Sequence, residues 1–98
     1  MIDGIYDCKM NTQMGDITGK ITLKTNGIEL SGIVETMGTK NQFTGGKLQG
    51  NTCNFKGSFN TMLGRIDYNI NGKVVGNQLE IVADTNKGKF CIKGTKVE

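Results

Sequence analysis

The chain contains no proline, no tryptophan and no histidine among its 98 residues. The absence of histidine removes the imidazole base, the His metal ligand and the Ser-His or Cys-His nucleophile pair. No run of about 18 apolar residues exists, so no helix of the chain spans a membrane. Three cysteines are an odd number, which rules out a complete internal disulfide framework, and no C-x-x-C pair is present. Cys8, Cys53 and Cys91 therefore read as reduced, buried, structural thiols. The first seven residues carry two acids and no apolar h-region, unlike a secretory signal, so a cytoplasmic location is expected. Twelve basic against nine acidic side chains give +3, too little to imply a polyanionic partner. Neither nucleic acid nor a membrane is expected as a partner.

Glycine, by contrast, is abundant, with 15 residues, and much of it is periodic. Thr12, Thr36, Thr61 and Thr85 recur at spacings of 24, 25 and 24, each followed within three positions by Gly15, Gly38, Gly64 or Gly88. Between them lie the two-residue turn signals Asn26-Gly27, Gly50-Asn51 and Gly76-Asn77, where Gly or Asn supplies the positive φ of a tight hairpin. Thr12-Gln13-Met14-Gly15 and Thr61-Met62-Leu63-Gly64 suit a type I turn closed by a left-handed Gly. Turns thus fall about every 12 residues, and each repeat of about 24 residues is one strand pair.

The segments between turns alternate apolar and polar residues, the period of a strand. They run over about 4–12, 16–25, 28–36, 39–48, 52–61, 65–75, 78–85 and 88–97. The inward face reads Tyr6, Cys8, Met10 and Thr12; Ile17, Gly19, Ile21 and Leu23; Ile28, Leu30, Gly32, Val34 and Thr36. It continues with Phe43 and Leu48; Cys53, Phe55, Gly57, Phe59 and Thr61; Ile66, Tyr68, Ile70, Gly72 and Val74. Leu79, Ile81, Ala83 and Thr85, then Phe90, Ile92 and Gly94, complete it. Parity changes across Gly45-Gly46, which predicts a β-bulge. Lys96 is the one candidate inward cation, unless a bulge at Gly94 turns it out. The opposite face is polar, the reverse of an outer-membrane barrel. One apolar face on eight antiparallel strands, with no helix to cover it, predicts an up-and-down meander closed into a small all-β barrel, one domain over 1–98.

The Gly4-Ile5-Tyr6 start and the tight meander resemble the avidin and lipocalin (calycin-type) barrels. The Thr-x-Met-Gly turns, Thr12-Gln13-Met14-Gly15 and Thr36-Met37-Gly38, are similar to those of small uncharacterised bacterial repeat proteins. Neither resemblance implies a ligand or an activity.

Two places are candidates for function. Thr12, Thr36, Thr61 and Thr85 point inward near one mouth, beside Met14, Met37 and Met62 at the turn tips. An apolar rim over hydroxyls fits a small apolar or amphipathic ligand. The same side chains also suit a plug, with the Met chains folded back and the hydroxyls bonded to turn backbone. On the outer face, Ile5, Val82, Cys91 and Val97 fall on strands that closure makes neighbours, and they suggest a contiguous apolar stripe for a homodimer or a protein partner. No acid falls on the inward face, so neither catalysis nor a metal or cofactor is expected. Six inward aromatics predict a mostly packed core with at most a small pocket.

Overall fold

The computed structural model describes residues 2–12, 15–36, 38–61 and 64–97, with the side chains of Thr12, Phe59 and Thr61 excepted. Eight antiparallel strands follow one another: β1 Gly4–Thr12, β2 Gly15–Asn26, β3 Glu29–Thr36, β4 Thr39–Gln49, β5 Thr52–Thr61, β6 Gly64–Val75, β7 Gln78–Thr85 and β8 Gly88–Lys96. Each pairs with the next, and β8 returns to β1 to close the barrel. The closing ladder runs from Tyr6 opposite Lys96 to Met10 opposite Ile92. The Val97 amide extends it by donating to the Ile5 carbonyl at 2.8 Å. No edge is left at this closure, which is how a sheet with one apolar face avoids pairing with other chains.

The period-two pattern governs burial. Every buried apolar residue except Ile2 occupies a position that the alternation assigns to the interior, from Tyr6 at 0% exposure through Leu23, Phe55 and Leu79 at 1%. Rows of partners wind round the barrel. Leu48, Cys53, Gly72, Ile81, Ile92, Met10 and Ile17 oppose one another in turn. The row begins near one end and finishes near the other, the stagger that tilted strands require.

The predicted bulge is present. Leu30 opposes Gly46 while Gly32 opposes Phe43, so β4 carries one extra residue there. Gly45 takes it up at φ +74°, a left-handed conformation that costs a residue with a Cβ. Beyond the bulge β4 leaves β5. Their ladder has only the pairs Lys47–Asn54, Leu48–Cys53 and Gln49–Thr52, whereas β5 and β6 pair from Thr52 to Thr61. Side chains close this seam: the Phe43 and Phe55 rings stack across it at 3.9 Å.

Several expectations are corrected. Ile28 is not inward but 71% exposed, because the β2–β3 turn is Gly27-Ile28, with Asn26 opposite Glu29. No bulge forms at Gly94; the β1–β8 register is unbroken, so Lys96 stays on the inward parity at the barrel's end. Cys91 is exposed, unlike Cys8 and Cys53.

The two ends of the barrel differ. One end carries the β2–β3, β4–β5 and β6–β7 turns and is closed by the segment before β1. Ile2 is buried there, and the Tyr6 hydroxyl donates to its carbonyl at 2.7 Å. Asp3 holds the same segment down, accepting from the Thr25 amide at 3.1 Å and from the Thr25 hydroxyl at 2.6 Å. These bonds keep the Asp3 carboxyl below its ordinary value. The other end carries the β1–β2, β3–β4, β5–β6 and β7–β8 turns.

Candidate functional site

At that second end the described residues enclose a large open space. A cavity of about 970 Å³ opens there, walled by β1, β2, β3, β6, β7 and β8. Its volume replaces the small pocket expected from the aromatic count. Several of the inward positions that line it are small, and Cys8, Gly19, Thr36, Ala83 and Thr85 leave the space. Three of the rings, Tyr6, Phe43 and Phe55, fill the closed half, while Tyr68 and Phe90 border the cavity. As a result Met10, Ile17, Ile66, Phe90 and Ile92 point inward by register but stay only half-buried. Among the described aromatic side chains, Phe90 is only half-buried, against the mostly packed core expected. An apolar concave wall with a few fixed polar groups is the usual character of a small-molecule site.

The polar groups on this wall are held by backbone and by one neighbour. Thr85 Oγ1 accepts from the Lys87 amide at 3.0 Å and donates to the Gly88 carbonyl at 2.7 Å. Thr36 Oγ1 reaches the Thr18 carbonyl at 3.4 Å. The Cys8 thiol lies 3.6 Å from the Tyr6 carbonyl. Burial pushes that thiol up to about 12, so it is protonated at neutral pH and a poor nucleophile. Burial likewise raises the Tyr68 phenol.

Tyr68 is placed from both sides. A Cβ at position 57 would strike its hydroxyl, so Gly57 makes the room the ring occupies. Its hydroxyl donates to Asn41 Oδ1 at 2.7 Å, and Asn41 Nδ2 donates to the Ser58 carbonyl at 2.8 Å. Asn41 opposes the buried Val34 and so faces inward. It spans the β4–β5 seam with a side-chain amide where a closed ladder would use main chain. Sequence reading does not single it out, because Thr39-Lys40-Asn41-Gln42 is polar throughout and carries no alternation.

Of the seven predicted ligand residues, Thr36 and Thr85 lie on the cavity wall. Met14, Met37 and Met62 fall outside the described residues, as do the side chains of Thr12 and Thr61. The outer-face group is not one stripe. Val82 opposes Cys91, and Ile5 meets Val97 through the backbone. Val97 lies six positions beyond Cys91, just past the end of β8, about 20 Å of extended chain. Lys93 and Thr95 stand on the same face between the two pairs. A shallower depression of about 740 Å³ combines the charged Lys47, Lys73, Glu80 and Lys93 with apolar lining from Val82, Cys91 and Ile92.

No protein-family model matches the sequence, and no curated protein matches it either. Among solved structures the chain is similar to a redesigned β-barrel, mFAP1, bound to DFHBI, with a TM-score of 0.70 and 13% identity over 97% of this chain and 94% of that one. The likeness extends to an eight-stranded antiparallel barrel, and at this identity it is a likeness of fold.

Proposed function

We propose that this barrel binds a small, largely apolar molecule inside its open half. One observation carries the reading: a cavity of about 970 Å³ whose inward wall leaves Met10, Ile66, Phe90 and Ile92 half-exposed. A 98-residue chain has few apolar side chains to bury. Leaving these four only half-buried forgoes dispersion contacts, which an apolar guest would restore. The similar barrel mFAP1 holds DFHBI, which agrees with a barrel of this kind accommodating a guest.

The test is a thermal-shift screen of aromatic and aliphatic compounds, followed by heteronuclear NMR of any hit. Binding stabilises the folded state by RT ln(1 + c/Kd) at free ligand concentration c, so the melting temperature rises with the logarithm of ligand concentration above Kd. The expected result is a set of chemical-shift changes centred on Met10, Ile66, Ala83 and Ile92. A screen without hits, or changes confined to outward residues such as Asn71 and Lys93, would overturn the reading.

A further inference from the structure

The first four strands and the last four follow one plan. Shifted by 49 residues, β2 Gly15–Asn26 falls on β6 Gly64–Val75, and β3 Glu29–Thr36 falls on β7 Gln78–Thr85. Identical residues recur at that shift, among them Ile17 and Ile66, Ile21 and Ile70, and Leu30 and Leu79. The ladders repeat as well. Cys8, Gly19 and Thr36 stand opposite one another in turn, and so do their counterparts Gly57, Tyr68 and Thr85. Asn41 opposes Val34 as its counterpart Phe90 opposes Ala83. The registers part at the bulge, where Leu30 opposes Gly46 but Leu79 opposes Gly94, the counterpart of Gly45.

Inside the barrel the two copies differ by a ring. In the second copy the Tyr68 ring reaches from β6 across Gly57 to β4, where its hydroxyl donates to Asn41 Oδ1 at 2.7 Å. The first copy has Gly19 in place of Tyr68, Cys8 in place of Gly57 and Phe90 in place of Asn41. All three border the cavity. Position 19 takes no side chain, because a Cβ there would strike the Glu35 carbonyl and stand 3.0 Å from Thr36 Cβ.

We infer that the cavity takes an aromatic guest whose ring lies against Gly19 and Phe90, as the counterpart of the Tyr68 ring. This rests on the ligand-binding reading above and deepens it. The fold already seats a flat ring at the equivalent place in its second copy. Phe90 offers the guest an aromatic partner, as Phe55 offers Tyr68 an edge contact at 6.3 Å. The surroundings also say which edge of the guest points toward β8. Cys8 carries a Cβ, whereas a Cβ at position 57 would strike the Tyr68 hydroxyl. Phe90 sets an apolar ring where Asn41 receives that hydroxyl's proton. Both replacements suit a hydrocarbon edge, so the guest class is a phenyl or alkylphenyl body.

The experiment titrates toluene, p-cresol and methylcyclohexane into the full chain, followed by heteronuclear NMR. Toluene is expected to bind about fivefold tighter than methylcyclohexane, the gain of one ring–ring pair. Its ring-current shifts should be largest at Cys8, Gly19 and Phe90, and p-cresol should bind no tighter than toluene. Cys8→Gly combined with Phe90→Asn rebuilds the surroundings of Tyr68, so in that variant p-cresol should bind about tenfold tighter than toluene. Should the variant fail to fold, the ranking and the shift map on the parent chain still decide. The ring inference is overturned, and the ligand reading survives, if methylcyclohexane binds as tightly as toluene or if p-cresol exceeds toluene on the parent. Shifts centred on Gly57 and Asn41, or a folded variant without the p-cresol gain, overturn it equally. If none of the three compounds binds, both readings fall.

Discussion

The two halves of this barrel are built on the same strands with the same alternation, yet one is packed and the other, among the described residues, is open. In the closed half the inward positions are Tyr6, Leu23, Leu30, Phe43, Phe55 and Leu79, all at 3% exposure or less. The Phe43–Phe55 stack and the Phe55–Tyr68 edge contact at 6.3 Å tie β4, β5 and β6 together. In the open half Cys8, Gly19, Thr36, Ala83 and Thr85 occupy equivalent inward positions. An eight-stranded barrel holds an interior that side chains just fill or that one small ligand occupies. This chain does one at each end. Alternation decides which face is inside, while side-chain volume decides whether the inside is full.

The largest expected effect contrasts one residue from each half. Phe55→Ala should cost about 3–5 kcal/mol, because the stacked ring leaves an enclosed void. Ile17→Ala should cost less than about 1 kcal/mol, because its side chain already borders open space and no new enclosed void forms. Urea denaturation of the two variants checks this, and equal losses would erase the distinction between the halves. Gly57→Ala comes next. The added methyl group meets the Tyr68 hydroxyl, and the resulting overpacking should cost about 1–3 kcal/mol. Loss of the Tyr68–Asn41 bond would be visible by NMR.

A smaller effect concerns the segment that covers the closed end. Asp3 has a carboxyl held below its ordinary value of 3.8 by the Thr25 hydroxyl and then by the Thr25 amide. The unfolded chain therefore binds the proton more readily than the folded one. The stability this contributes is present above about pH 4 and is lost as pH falls through the depressed folded value. Because the group is largely solvated, the loss is small. Denaturation midpoints between pH 5 and pH 2 should fall less steeply in Asp3→Asn than in the parent, and identical profiles would dismiss the anchoring role.

Strand number, order, closure and inward parity are all legible in the sequence, since each depends on turn glycines and on alternation. The bulge at Gly45-Gly46 is legible for the same reason. Ile28 misleads because Asn26-Gly27-Ile28 offers two overlapping turn dipeptides, and the register across Asn26 and Glu29 selects the second. Ile2 is missed because a residue before the first strand has no alternation to follow. The cavity is missed because counting aromatics ignores where along the barrel they fall. Small residues at Cys8, Gly19, Thr36, Ala83 and Thr85, clustered toward one end, are the signal that would have located it. Asn41 needs coordinates, because its role arises only where β4 leaves β5.

The most direct test of an open half is to fill it. Ala83 is buried on the cavity wall and lies opposite Ile70 and Phe90. With about 970 Å³ available, Ala83→Phe should leave stability within about 1 kcal/mol of the parent and abolish binding of the apolar compounds that shift the parent's melting temperature. A loss of about 3 kcal/mol or more, with binding retained, would show that the space is not there.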